Sequence, residues 1–136
     1  MPRIVTDAAD LLVPMSAHVL WVVVLYAALT VVRAPSVWGL GADRPVANRL
    51  AAFESSIGAN LSNQFEWPMM FYVVCLLLLL QPSLYSPMHV WLAWGFVAGR
   101  IVHSLVQIAT NNIRFRGLVF MINFVAVLAM WVLLLN

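Results

Sequence analysis

The chain has 136 residues, of which 64% are hydrophobic and only 9% charged, against roughly a quarter charged in a soluble domain. So few charges cannot cover a water-soluble surface of this size, and a bilayer is the expected solvent. The net charge of +2 comes from arginines scattered singly, with no lysine, which excludes the basic stripe of a nucleic-acid surface.

Four apolar stretches follow, each near the roughly 20 residues that cross a bilayer. They cover about residues 11–32, 56–80, 88–110 and 117–135 and predict a single all-α domain over residues 1–136, an integral membrane four-helix bundle. Ahead of the first stretch, Asp7 and Asp10 interrupt the tail that carries Arg3, and no small-residue cleavage site follows, so this stretch is expected to be retained. Pro14 falls near its start, where a missing N–H does little harm. Pro35, Gly39, Gly41 and Pro45 punctuate the chain after it, and Pro82 and Pro87 bracket the turn after the second stretch. Asn111-Asn112 closes the third. The lone Cys75 lies in an apolar run and excludes an internal disulfide.

The arginines orient the bundle. Arg33, Arg44 and Arg49 follow the first stretch, and Arg114 and Arg116 follow the third, whereas the loop after the second carries no charge. The positive-inside rule then puts loops one and three in the cytoplasm and both termini outside.

The second and third stretches hold polar residues at membrane depth. Asn60, Asn63 and Glu66 recur every three residues on one slowly drifting helical stripe. Arg100, His103, Ser104 and Gln107 fall at i, i+3, i+4 and i+7, a single face, with Ile, Val and Leu between them. An arginine near the centre of a span costs about 2.5–3.5 kcal/mol on insertion scales, so it is retained where it is paired, faces the bundle interior or serves a function. One account has Glu66 and Arg100 neutralising each other, with Asn63 and Ser104 as interhelical hydrogen-bond partners. Seven polar residues on two faces exceed what one such pair requires, and a polar pocket is the sharper expectation. His18 and Asn123 read as packing or interhelical contacts, and Trp21, Trp38, Trp91 and Trp131 as interface or lipid contacts. Pro68 is expected to kink the second helix or loosen its bonding just after Glu66. There is no phosphate-binding glycine loop, metal-ligand spacing or nucleophile elbow, so any chemistry needs a bound small molecule to carry the reactive group. A proton path through Glu66, Arg100 and His103 ranks below this, since no broken helices in paired repeats are visible.

The elements Asn63-Gln-Phe-Glu66 with Pro68, Ala98-Gly99-Arg100-Ile-Val-His103-Ser104, and Asn111-Asn112-Ile-Arg114-Phe-Arg116-Gly117 resemble the MAPEG family, the membrane-associated proteins of eicosanoid and glutathione metabolism. The resemblance covers about residues 16–135 and is nearest the family's bacterial branch, which implies a bacterial inner membrane. It further implies a homotrimer with sites between subunits, glutathione as the bound cofactor, and a transferase or peroxidase acting on hydrophobic electrophiles from the membrane lipid. Carried over by position, Arg33, Asn63, Glu66, Arg100, His103 and Gln107 hold glutathione, and Arg116 is the catalytic residue that stabilises its thiolate. Two departures stand out. Ala59 and Ser62 occupy positions where relatives carry arginines, and Gln107 stands where several carry tyrosine. A non-catalytic membrane protein that binds lipid or serves a larger complex as an accessory subunit is the alternative.

Overall fold

The first apolar stretch forms a helix that runs past its expected end. In the computed structural model, which describes residues 7–39 and 44–136, a short 3-10 turn (Ala8–Leu11) leads into α1 (Leu12–Val37). Pro35, read above as a breaker, lies inside α1. Its ring deprives one carbonyl of an N–H, but so close to the helix end that the chain stops only at Gly39, whose φ of 64° reverses it. Arg3 and Gly41 lie outside the described residues.

The second span differs more. It begins at Arg44 rather than near residue 56, as α2 (Arg44–Asn63), because Pro45 suits a first helical turn and the Ala- and Leu-rich segment after it favours helix. After Asn63 the bonding is not merely loosened: the helix breaks, and α3 (Pro68–Leu80) starts afresh with Pro68 in its first turn. Across the break the backbone bonds tighten to i→i−3: Gln64 to Leu61 at 3.0 Å, Phe65 to Ser62 at 3.1 Å and Met69 to Glu66 at 3.2 Å.

A 3-10 turn (Pro82–Leu84) leads to α4 (Pro87–Ala109), whose N-cap Ser86 donates its N–H to Nδ1 of His89 at 3.0 Å. α4 ends just before Asn111-Asn112, as expected, and Asn112 also caps the start of the fourth span. Its Oδ1 accepts from the N–H of Phe115 at 3.0 Å, so α5 (Ile113–Leu135) starts four residues early and takes Arg114 and Arg116 into its first turn.

Among the described residues, four helical spans are long and apolar enough to cross a membrane: 8–37, 45–80 (α2 with α3), 87–109 and 113–135. At 1.5 Å per residue α4 and α5 are about 35 Å long, near a bilayer's hydrocarbon thickness. The first two spans are longer and overrun it. The main core packs Phe71, Val74, Cys75 and Leu78 of α3 against Phe96 and Val97 of α4 and Val127 and Met130 of α5. A second cluster, Leu25 and Leu29 against Ile57 and Leu61, joins α1 to α2. Large apolar side chains such as Leu20, Val31, Trp91 and Leu118 face outward, as a lipid-solvated bundle requires.

The α4–α5 seam is close. Gly99 stands against Asn123, and a Cβ there would overlap the Asn123 amide and lie 3.2 Å from Ile122 Cγ2. Small residues at such crossings let two helix backbones approach.

Candidate functional site

Six of the seven residues singled out from sequence line one cavity. Asn63 and Glu66 reach it from the end of α2 and the break, Arg100, His103 and Gln107 from α4, and Arg116 from α5. Its volume is about 570 Å³, with Phe120, Ile113 and Ala59 completing the wall. The α4 face delivers its residues by helical spacing alone, since i, i+3 and i+7 stand above one another. The early start of α5 brings Arg116 to the same cavity.

Arg33 is not among them. It stands near the end of α1 and donates from Nε to Oε1 of Glu54 at 2.8 Å, a half-exposed ion pair between α1 and α2.

Arg100 is almost wholly buried, yet it forms no ion pair with Glu66. The mutual neutralisation weighed above is therefore not the contact that holds it. Its Nε donates to Oε1 of Gln64 at 3.0 Å and its Nη2 to the backbone carbonyl of Asn63 at 2.8 Å. The helix break explains the second bond. In a continuous helix that carbonyl would accept from the N–H four residues on, and the interruption leaves it for the guanidinium. Glu66 itself is exposed at the cavity mouth.

Gln64 went unremarked in the sequence, although it lies one turn beyond Asn60 on the same face. Here it is the centre of a buried network. Its Oε1 accepts from Arg100 and from Nε2 of His18 at 3.1 Å, and its amide donates to Oδ1 of Asn60 and Oγ of Ser104, both at 3.1 Å. All four hydrogen-bonding positions of the amide are filled. Because arginine Nε–H can only donate, the oxygen of Gln64 must face it, and every other orientation follows. The nitrogen of Asn60 turns to Oε1 of Gln107 at 2.9 Å, where Asn63 Nδ2 also donates at 3.2 Å. His18 carries its proton on Nε2, and its Nδ1 accepts from the Tyr72 hydroxyl at 2.7 Å. Trp21, read above as a lipid contact, donates its indole N–H to Ser104 at 3.1 Å. His18 is the interhelical contact expected of it, and a member of a set that links α1, α2, α3 and α4.

Two buried polar groups near the cavity have no partner among the described residues. One is Nδ1 of His103, whose ring meets the edge of Phe120 at 6.0 Å. The other is the amide of Asn123, behind Gly99. No group of three His, Cys, Asp or Glu residues that could hold a metal ion occurs among the described residues.

An apolar four-span bundle with a basic, amide-lined cavity at membrane depth defines a polytopic membrane protein with an internal polar site. The sequence model of the MAPEG family matches residues 11–136, and the chain belongs to that family, as an integral membrane protein. No curated protein and no solved structure matches the chain.

Proposed function

We propose that the cavity between α2, α4 and α5 binds glutathione, and that the protein is a membrane-bound glutathione-dependent transferase or peroxidase for hydrophobic electrophiles. The observation that carries this is the composition of one cavity wall: two guanidinium groups (Arg100 and Arg116), one carboxylate (Glu66) and an unpartnered imidazole nitrogen (His103). Glutathione carries two carboxylates, one ammonium and a thiol, so guanidinium groups suit its anionic groups and a carboxylate suits its ammonium. Among the described residues, Nη1 of Arg100 has no hydrogen-bond partner, and Arg116, exposed at the cavity, has no carboxylate partner. Bound there, glutathione supplies a nucleophilic sulfur. The chain's part is to hold one carboxylate on Arg100 and the amine on Glu66, and to keep the sulfur ionised beside Arg116, since a nearby cation lowers a thiol's pKa.

Exposed Glu66 and Arg116 at the open side of a lipid-solvated bundle need cover from a second surface. In this reading neighbouring subunits of a homotrimer supply it, in a bacterial inner membrane with the arginine-bearing ends in the cytoplasm. Arg33 then belongs to a neighbour's cavity rather than to its own.

One observation favours the non-catalytic alternative, a lipid-binding or accessory subunit. The Gln107 oxygen is filled by the amides of Asn60 and Asn63, and Gln107 stands where a phenolic proton donor would otherwise be expected. The deciding experiment is glutathione added to the purified protein in detergent, with thiolate ultraviolet absorbance and turnover of a chlorodinitrobenzene followed together. Both signals in the wild type, and neither in R116A, support the enzyme. Neither signal in the wild type favours the alternative.

A further inference from the structure

Arg100 is a buried cation whose two anchoring bonds go to neutral carbonyl oxygens, Oε1 of Gln64 and the backbone of Asn63. A carboxylate at position 64 would hold the guanidinium with equal reach. It would also neutralise it, and a paired arginine has little left to offer a ligand anion. The amide holds the geometry and leaves the charge. Both lone pairs of its oxygen and both of its amide hydrogens are taken by Arg100, His18, Asn60 and Ser104, so it cannot rotate to release Arg100. Neither Glu66 nor any other carboxylate of the described residues forms an ion pair with Arg100.

We infer that Gln64 is a positioning residue that fixes Arg100 at the cavity while sparing its charge, so that the guanidinium is neutralised only by the anionic group of a bound ligand. A carboxylate of glutathione is that group if the proposed function holds, and the inference rests on that reading for the identity of the ligand alone. Gln64 itself touches no ligand. It acts through Arg100.

The informative variant is Q64E, which is isosteric and keeps an acceptor for Arg100 and His18. The Ser104 hydroxyl can rotate to donate to the new oxygen, and the Asn60 amide can turn to donate to it when the Gln107 and Asn63 amides turn in sequence, so every contact again pairs a donor with an acceptor and folding is preserved. Three readouts are compared with the wild type: the detergent melting temperature, the Arg100 Nε–H resonance in protein labelled with nitrogen-15 arginine (assigned by its loss in R100K), and the dissociation constant for glutathione. Q64E is expected to melt at or above the wild-type temperature, retain a shifted Arg100 resonance, and bind glutathione about tenfold more weakly or worse, a loss near 1.4 kcal/mol. A purely structural Gln64 would leave affinity unchanged in a variant that melts normally, and that result overturns the inference.

If the wild type binds no glutathione, the proposed function fails by itself, and acetate decides this inference. Titration with acetate at constant ionic strength should move the Arg100 resonance in the wild type and not in Q64E. An Arg100 resonance that acetate leaves in place in the wild type overturns it.

Discussion

Nη2 of Arg100 donates at 2.8 Å to the carbonyl of Asn63, the last residue of α2 before the second span is interrupted. The break in the helix and the burial of the arginine are thus one feature: the span gives up regular bonding at the depth where the cation needs acceptors. This changes what each charged residue should contribute to stability.

Glu66 is expected to matter for ligand and not for fold. Since it is exposed and forms no ion pair with Arg100, E66Q should change the unfolding free energy by less than about 0.5 kcal/mol, as for an ordinary surface substitution. Had the two neutralised each other in a dry site, the loss would be roughly 3–5 kcal/mol. Chemical denaturation in detergent separates these outcomes. Glutathione affinity should fall in the same variant, because the amine loses its carboxylate.

Gly99 tests the α4–α5 seam. G99A should destabilise by about 1–3 kcal/mol, the usual range for overpacking, because its Cβ would meet the Asn123 amide. The Asn123 side chain has no hydrogen-bond partner among the described residues to lose, so N123A added to G99A should recover much of the deficit. Equal melting temperatures for G99A and wild type would show that the seam is looser than described.

These cases mark what was legible in the sequence. The four spans follow from apolar run length, and the shared face of Arg100, His103 and Gln107 from helical spacing. The extension of α2 back to Arg44 did not follow, because Arg49 and Glu54 break the apolar run although the helix continues outside the bilayer. The break at Asn63 was signalled by Pro68 only as a kink or a loosening of the bonding. A proline marks where a helix loses a bond, while the depth of the interruption depends on Arg100 taking the released carbonyl. Gln64, His18 and Trp21 stayed invisible as a set since their bonds join different helices. One clue to Gln64 was present, its i+4 spacing from Asn60.

Orientation can be read with cysteines. Cys75 is fully buried, and in a background where it is replaced by alanine, cysteines at Ser36 or Asn112 should resist an impermeant thiol reagent added outside intact cells. One at Ser83, in the uncharged loop between α3 and α4, should react. The opposite pattern would reverse the topology and place the cavity mouth on the other side of the membrane.

The position of Arg33 gives the test of assembly. Within one chain it pairs with Glu54 and stays away from the cavity, and a half-exposed pair of this kind contributes only about 0–1 kcal/mol to stability. R33A should therefore fold normally. If Arg33 completes a neighbour's cavity, R33A should nevertheless bind glutathione poorly, and so should R116A, each spoiling a different half of every site. Co-expression of the two variants should then restore activity. In a cyclic trimer of randomly mixed subunits, about one site in four joins an intact Arg33 to an intact Arg116 across an interface. Activity near a quarter of wild type in the mixture, with both parents inactive, is the expected result. A mixture as inactive as its parents would place both arginines in service of a single chain's cavity or of none, and the intersubunit site would have to be given up.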